Sequence, residues 1–79
     1  MDQINRDKLI LIFKEAFDVQ DKNLIMNMSK DNSVKWDSLA VVSMIATISD
    51  IFSIEIVPQD FEKFKSYKSI EKFLEDKGL

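Results

Sequence analysis

Apolar residues recur near the start of the chain every three or four positions, which is the spacing of a helix with one buried face. Charged residues stand between them, so a first helix is predicted from Asp2 to about Asp18, with Asp2 or Asn5 as its cap. The residues expected on its buried face are Leu9, Ile12, Phe13, Ala16 and Phe17.

The segment from Val19 to Lys35 is long and mostly polar. Its apolar residues Leu24, Ile25, Met26 and Met28 indicate a short turn held against the core. A connection of this length in so small a domain is expected to be functional or to be tied down at several points.

A second helix is predicted to begin at Asp37–Ser38, with Asp37 as the cap, and its uncharged run extends from Ser38 to Ser49. One side is expected to face the core, with Leu39, Val42, Ile45 or Ala46, Ile48 or Ser49, and Phe52. The residues left on the other side are Ala40, Val41, Ser43, Met44, Thr47 and Ile51. A helix without a charged face is either buried all round or covered by a partner.

The last third of the chain predicts two more helices. Ile54 to Ile56 alternates like an extended connector, and Pro58 suits the first position of a short third helix. Phe61 and Phe64 are expected to point inward from it. A fourth helix is predicted after Ser66 or Ser69 as cap, with Tyr67, Ile70, Phe73 and Leu74 on one face and its end at Lys77–Gly78. The prediction is an all-α fold: a small four-helix bundle in a single domain, 1–79, with a long loop between helices 1 and 2 and a short third helix.

Composition supports a helical domain. The chain of 79 residues is 46% hydrophobic but has only one Gly and one Pro, too few for the tight turns of a sheet. There is no Cys, so no disulfide is expected, which is compatible with the cytoplasm. The N-terminal segment lacks the layout of a signal peptide, and the longest uncharged run is too short to span a bilayer. We therefore expect a cytoplasmic chain without membrane insertion.

The inventory of reactive side chains argues against an enzyme. Without His and Cys the chain has neither the commonest general base nor a thiol nucleophile, and it lacks most zinc ligands. The single Gly excludes a phosphate-binding glycine loop, and the acidic residues are not spaced as in a calcium loop. A net charge of −3 disfavours nucleic acid as the main ligand. We expect no active site of its own and no bound metal.

Ser38 stands at the start of the second helix, where unpaired backbone N–H groups favour an attached anion by about 0.3–1 kcal/mol. A phosphate diester on this hydroxyl is physically reasonable, although the charge of Asp37 partly opposes it. The alternative is that Ser38 is simply a second capping residue.

The triplet Asp37–Ser38–Leu39 resembles the signature of acyl carrier proteins, and the resemblance covers nearly the whole chain. The order and spacing of the predicted helices are similar, as are the stretch 52–56 and Pro58 with Asp60. The resemblance implies that a phosphopantetheinyl transferase attaches 4'-phosphopantetheine from coenzyme A to Ser38. It also implies a monomeric carrier whose arm holds acyl groups as thioesters for acyl-loading and acyl-transfer enzymes.

Two departures refine this expectation. Trp36 stands where the family commonly has Gly, which is more similar to free-standing carriers outside central fatty acid synthesis; Trp36 alternatively forms a lid on the core. Acids common on the family's second helix are missing, and the partner-docking residues are predicted to be Leu39, Val41, Met44 and Asp50. Val41 could instead pack against the long loop. An aminoacyl or peptidyl carrier, and an unmodified helical interaction module, remain as alternatives.

Overall fold

Four α-helices and one 3₁₀ helix make up the fold in the computed structural model, which describes residues 1–79. The α-helices are α1 (Gln3–Phe17), α2 (Lys22–Met26), α3 (Ser38–Phe52) and α4 (Tyr67–Asp76), and the 3₁₀ helix spans Pro58–Lys63. The predicted all-α fold, with a long connection before the serine-bearing helix and a short helix after it, is confirmed. None of the helices combines the length and the apolar character needed to cross a membrane.

The predicted count of four helices is one too low, because the long connection folds a short helix of its own. The Asp21 carboxylate accepts hydrogen bonds from the backbone N–H groups of Asn23 and Leu24, at 2.8 and 3.3 Å, and so caps α2. Ile25 is fully buried and anchors α2 to the core. The predicted pinned turn is therefore a brief capped helix.

The capping predictions are resolved by local hydrogen bonds. Asp2 caps α1 by accepting from the backbone N–H of Asn5 at 2.8 Å. At α4, Ser66 and Ser69 exchange hydrogen bonds of 3.0 and 3.1 Å between each hydroxyl and the other residue's backbone N–H. Ser66 is the cap and Ser69 completes the reciprocal arrangement, so both serines proposed from the sequence take part.

The core contains no charged residue and has an aromatic centre. Phe13 of α1 contacts the rings of Phe17, Trp36 and Tyr67, with centroid distances of 5.6, 5.6 and 5.3 Å. The predicted inner face of α1 is confirmed except at Ala16, which is exposed; Ile10 is buried in addition. This centre joins α1, the long connection and α4 in one cluster, which α3 covers from a further side.

The inward direction predicted for Phe61 is wrong. Phe64 is buried, but 42% of Phe61 is exposed. The 3₁₀ helix ends at Lys63 and the chain turns at Phe64, so the two rings do not follow one continuous helical face. Phe61 is left at the surface, on the side that faces the start of α3.

A polar network at the edge of the core holds α1 against α4. The buried Tyr67 hydroxyl donates to the Glu71 carboxylate at 2.8 Å, and the Arg6 guanidinium donates to the same carboxylate at 3.3 and 3.4 Å. Burial, followed by the hydrogen bond to Glu71, raises the pKa of Tyr67 well above its ordinary value of 10.0. The phenol therefore stays protonated in the folded chain at a pH where an exposed tyrosine ionises.

Tyr67→Phe is expected to lower the free energy of unfolding by about 1–2 kcal/mol at neutral pH, because the hydrogen bond to a charged acceptor is lost. The pH dependence has a definite sign. As the pH rises above the ordinary tyrosine value of 10.0, the unfolded chain releases the phenol proton while the folded chain retains it, so wild type loses stability. Urea denaturation between about pH 9 and pH 11 measures this loss, with a limiting slope of about 1.4 kcal/mol per pH unit.

Tyr67→Phe is its own control for that pH dependence, because Tyr67 is the chain's only tyrosine. The variant should lack this component of the alkaline loss. Identical alkaline profiles for variant and wild type would contradict the assignment of the raised pKa to Tyr67.

Candidate functional site

Trp36 fixes the position of the α3 N-terminus, which lies immediately after it in the chain. Its ring stacks on Phe17, with centroids 5.1 Å apart and an interplanar angle of 22°, and its indole N–H donates to the backbone carbonyl of Phe64 at 3.2 Å. Only 8% of the residue is exposed. Trp36 therefore covers the core, which is the alternative that the sequence left open. Its hydrogen-bonded indole fixes this part of the chain, and Ser38, two residues later, lies at the surface.

The connection before Trp36 is tied down at separate points, as its length predicts. The Lys35 ammonium donates to the Phe17 carbonyl at the C-terminus of α1, at 3.3 Å. Further back, a single antiparallel bridge pairs Ser29 with Ser66, just before α4. These contacts connect the segment that carries the site to both α1 and α4.

Asp37 and Ser38 have different roles at the start of α3. The Asp37 carboxylate accepts from the backbone N–H of Ala40 at 2.8 Å, and its backbone carbonyl accepts from the N–H of Val41 at 3.0 Å. Asp37 is thus the helix cap. Ser38 is exposed, and its hydroxyl is engaged in no hydrogen bond within the chain. The oxygen that would carry a modification is accessible.

Asp37→Ala is expected to lower the free energy of unfolding by about 0.5–2 kcal/mol, because an N–H at the start of α3 loses its acceptor. Asp37→Asn is the matched control: it removes the charge but keeps a capping oxygen, so most of the stability should remain. Urea denaturation of the three proteins measures both effects. A loss for Asp37→Asn as large as that for Asp37→Ala would contradict a capping role and indicate that the charge itself matters.

A cleft of about 560 Å³ opens beside Ser38, between the start of α3 and the segment around the 3₁₀ helix. Apolar side chains form half of its lining. They are Trp36, Val41, Val42, Phe61 and Phe64. The other lining residues are Ser38 and the charged Lys30, Asp37, Glu62 and Lys65. We call this open space the Ser38 cleft; its volume lies within the range of small-molecule sites.

The outer surface of α3 differs from the predicted one. Met44 was predicted to meet partners, but it is only 1% exposed and belongs to the core. Leu39 and Val42 were expected on the core stripe, but they are 79% and 59% exposed. The buried side is formed by Met44, Ile45, Ile48 and Phe52.

The physical reason is a rotation of α3 about its axis relative to the predicted orientation. An apolar run contains no charged residue to mark the solvent side, so its periodicity admits more than one orientation. Val41 is half-buried, packs against the core and also lines the Ser38 cleft, so it belongs only partly to a docking surface.

The exposed α3 face consists of Leu39, Val42, Ser43, Ala46 and Asp50. With about 3.6 residues per turn, these positions fall within roughly a third of the circumference of the helix and therefore share one side of it. The face begins beside Ser38 and is uncharged until Asp50, as predicted. Of the predicted docking residues, the structure leaves Leu39 and Asp50 on this face, Val41 at its margin and Met44 outside it.

The site offers an accessible hydroxyl with two carboxylates in the cleft beside it. The only carboxylates that line the Ser38 cleft belong to Asp37, which caps α3, and Glu62. No group of His, Cys, Asp or Glu side chains is arranged to hold a metal ion. The free hydroxyl and adjoining cleft do fit the phosphopantetheine arm that the sequence resemblance implies.

Three lining residues have no signal in the sequence. Lys30 and Lys65 are far apart in the chain, and Val42 was expected in the core; only the folded chain brings them to the Ser38 cleft.

No protein-family model, curated protein or solved structure matches this chain.

Proposed function

We propose that this chain is a carrier protein that receives 4'-phosphopantetheine on Ser38 and presents acyl groups to partner enzymes. The observation that carries the proposal is the exposed, unengaged Ser38 hydroxyl at the tip of α3, beside a cleft of about 560 Å³ and an uncharged exposed helix face. When attached, the arm supplies a terminal thiol that holds acyl groups as thioesters. The chain itself contributes the attachment point and surfaces for recognition.

The attachment step requires a partner. The Ser38 oxygen forms a bond to the pantetheine-bearing phosphorus of coenzyme A, and the bond from that phosphorus to adenosine 3',5'-bisphosphate breaks. The hydroxyl proton must leave to a base, and the carboxylate next to Ser38 is engaged as the cap of α3. We therefore assign the base to a phosphopantetheinyl transferase, and later catalysis to the acyl-loading and acyl-transfer enzymes.

The local structure at Ser38 suits a negatively charged ester. Ser38 is the first residue of a helix of 15 residues, where the backbone dipoles favour an anion by about 0.3–1 kcal/mol. The cap does not depend on the serine hydroxyl, so esterification leaves the Asp37 to Ala40 hydrogen bond in place. Modification should therefore leave the start of α3 folded.

The exposed α3 face is the proposed docking surface for these partners. It adjoins Ser38, and large apolar side chains such as Leu39, 79% exposed, are unusual on a helix with no cover. A partner bound there would lie next to the arm without displacing the core. Asp50 is the single acidic residue on the face, so docking is proposed to be mainly apolar.

The carried group is proposed to be an acyl group, with an aminoacyl or peptidyl group as the alternative within the same class. All share attachment to the arm as a thioester. The proposed place of action is the cytoplasm, and the proposed form is a monomer, as in the family that the sequence resembles.

The test is the intact mass of the chain after incubation with coenzyme A and a phosphopantetheinyl transferase. A gain of one phosphopantetheinyl unit is expected. Absence of any gain with several transferases of different specificity would overturn the proposal.

The exposed α3 face also favours a second candidate, an unmodified helical module that binds a partner through the same residues. Its prediction differs in one respect: the chain would bind its partner without ever gaining mass. The mass measurement therefore separates the two functions directly.

A further inference from the structure

Two lysines from distant parts of the chain are brought together at the Ser38 cleft. The backbone N–H of Lys30, in the long connection, donates to the backbone carbonyl of Lys65, just before α4, at 2.9 Å. The neighbouring bridge between Ser29 and Ser66 reinforces this pairing. Backbone hydrogen bonds therefore fix the backbone positions of Lys30 and Lys65 relative to each other.

Neither lysine is neutralised within the chain. No carboxylate lies within 4.0 Å of either ammonium, whereas Lys63 does have such a partner in Asp60, at 3.9 Å. The acidic side chains of the cleft are Asp37, whose carboxylate caps α3, and Glu62. The two ammonium groups are thus the donors that the cleft offers to an incoming anion.

We propose that Lys30 and Lys65 are positioning residues that bind the phosphodiester of the arm carried by Ser38 and hold the arm in the Ser38 cleft. This assignment rests on the proposed function. The phosphodiester is the anion whose place is certain once Ser38 is modified, since it is bonded to a residue that lines the same cleft. Lysine ammonium groups form charge-assisted hydrogen bonds to phosphate oxygens, and their flexible side chains reach across a space of this size.

The rest of the lining suits the arm behind its phosphate. Val41, Phe61 and Phe64 offer apolar contacts to the dimethyl group and methylene carbons of pantetheine. The cleft is open rather than enclosed, so an arm held by charge is released when a partner competes for it. Ionic strength should weaken the same contact, since the ammonium groups lie at the surface.

The test compares thermal unfolding of the apo chain and the phosphopantetheinylated chain, in wild type and in Lys30→Gln/Lys65→Gln. Lys8→Gln/Lys68→Gln is the matched control, because both of its lysines are exposed and lie outside the cleft. In wild type at low salt, attachment of the arm should raise the unfolding midpoint by about 2–6 °C. The control variant should keep this rise, and Lys30→Gln/Lys65→Gln should lose most of it.

A second readout follows the phosphate directly. The ³¹P resonance of the modified wild type should shift with increasing salt as the lysines are screened, and the resonance of Lys30→Gln/Lys65→Gln should already lie near the high-salt position.

Mass spectrometry first establishes that each chain is modified. No gain in mass overturns the proposed function and this assignment with it. A gain in mass with equal thermal shifts in both double variants overturns this assignment alone.

The carboxylate of a carried dicarboxylic acyl group is the other anion that these lysines could recognise. Chains loaded with succinyl-phosphopantetheine and with butyryl-phosphopantetheine distinguish it from the phosphodiester. Equal lysine-dependent stabilisation of both chains supports the phosphodiester. A lysine-dependent effect that appears only with succinyl would assign the lysines to the cargo and overturn the proposal.

Discussion

Ser38→Ala is expected to abolish phosphopantetheinylation completely while leaving the free energy of unfolding within about 0.5 kcal/mol of wild type. Modification is lost because the bond-forming oxygen is removed. Stability is retained because the Ser38 hydroxyl makes no hydrogen bond in the chain and the α3 cap is Asp37. Intact mass after incubation with coenzyme A and a transferase measures the first effect, and urea denaturation the second.

Ser43→Ala is the matched control for this experiment. Ser43 is also an exposed serine of α3, so it tests whether modification is selective for the helix tip. Ser43→Ala should reach the same final gain of one phosphopantetheinyl unit as wild type; the final mass and not the rate is compared, because Ser43 lies on the exposed α3 face. A gain of mass in Ser38→Ala would show that the arm attaches elsewhere and would contradict the assignment of the site. A large loss of stability in Ser38→Ala would contradict the division of roles between Ser38 and Asp37.

Met44→Ala is expected to lower the free energy of unfolding by about 2–5 kcal/mol, because it empties a core position that is only 1% exposed. For a chain of 79 residues, whose whole stability is about 4–12 kcal/mol, this is a large fraction. Leu39→Ala is the matched comparison on the same helix. Since Leu39 is 79% exposed, its truncation should change stability by no more than about 0.5 kcal/mol.

The substitution with the smaller effect on stability, Leu39→Ala, should have the larger effect on modification by the transferase. Under the proposed docking on the exposed α3 face, Leu39→Ala should slow modification by the transferase while the chain stays fully folded. Urea denaturation and the rate of mass gain measure the two properties separately. Equal stability losses for Met44→Ala and Leu39→Ala would contradict the orientation of α3. An unchanged modification rate in Leu39→Ala would remove Leu39 from the docking surface.

The orientation of α3 explains why the sequence resemblance and the structure differ over docking residues. The sequence predicts Val41 and Met44 at the partner surface because charged residues are missing from the predicted outer side, and the predicted set also includes Leu39 of the triplet and the one retained acid, Asp50. An uncharged face of α3 does reach solvent, as the missing charged residues predict. Its members changed because Met44 turned inward and Val42 outward.

Local patterns determined much of this protein without any tertiary information. Asp37 is predicted outright as a helix cap, and Asp2 and Ser66 are each one of two predicted candidates, because capping depends on a side-chain oxygen and an N–H two or three residues away. The all-α class followed from helical periodicity together with a single Gly and a single Pro. Ser38 was singled out from its triplet and its place at a helix start, and the structure leaves it exposed at that point.

Only the tertiary structure decided which uncharged side of α3 is buried and which residues surround Ser38. An apolar run packs on either side with similar local energy, so the choice lies with the rest of the core, above all with α1, against which α3 packs. The Ser38 cleft combines Lys30, Lys65 and Phe61 from separate segments, and their meeting depends on a backbone bridge between distant residues. Such long-range pairing leaves no periodic trace along a chain, and for that reason the cleft was absent from the sequence prediction.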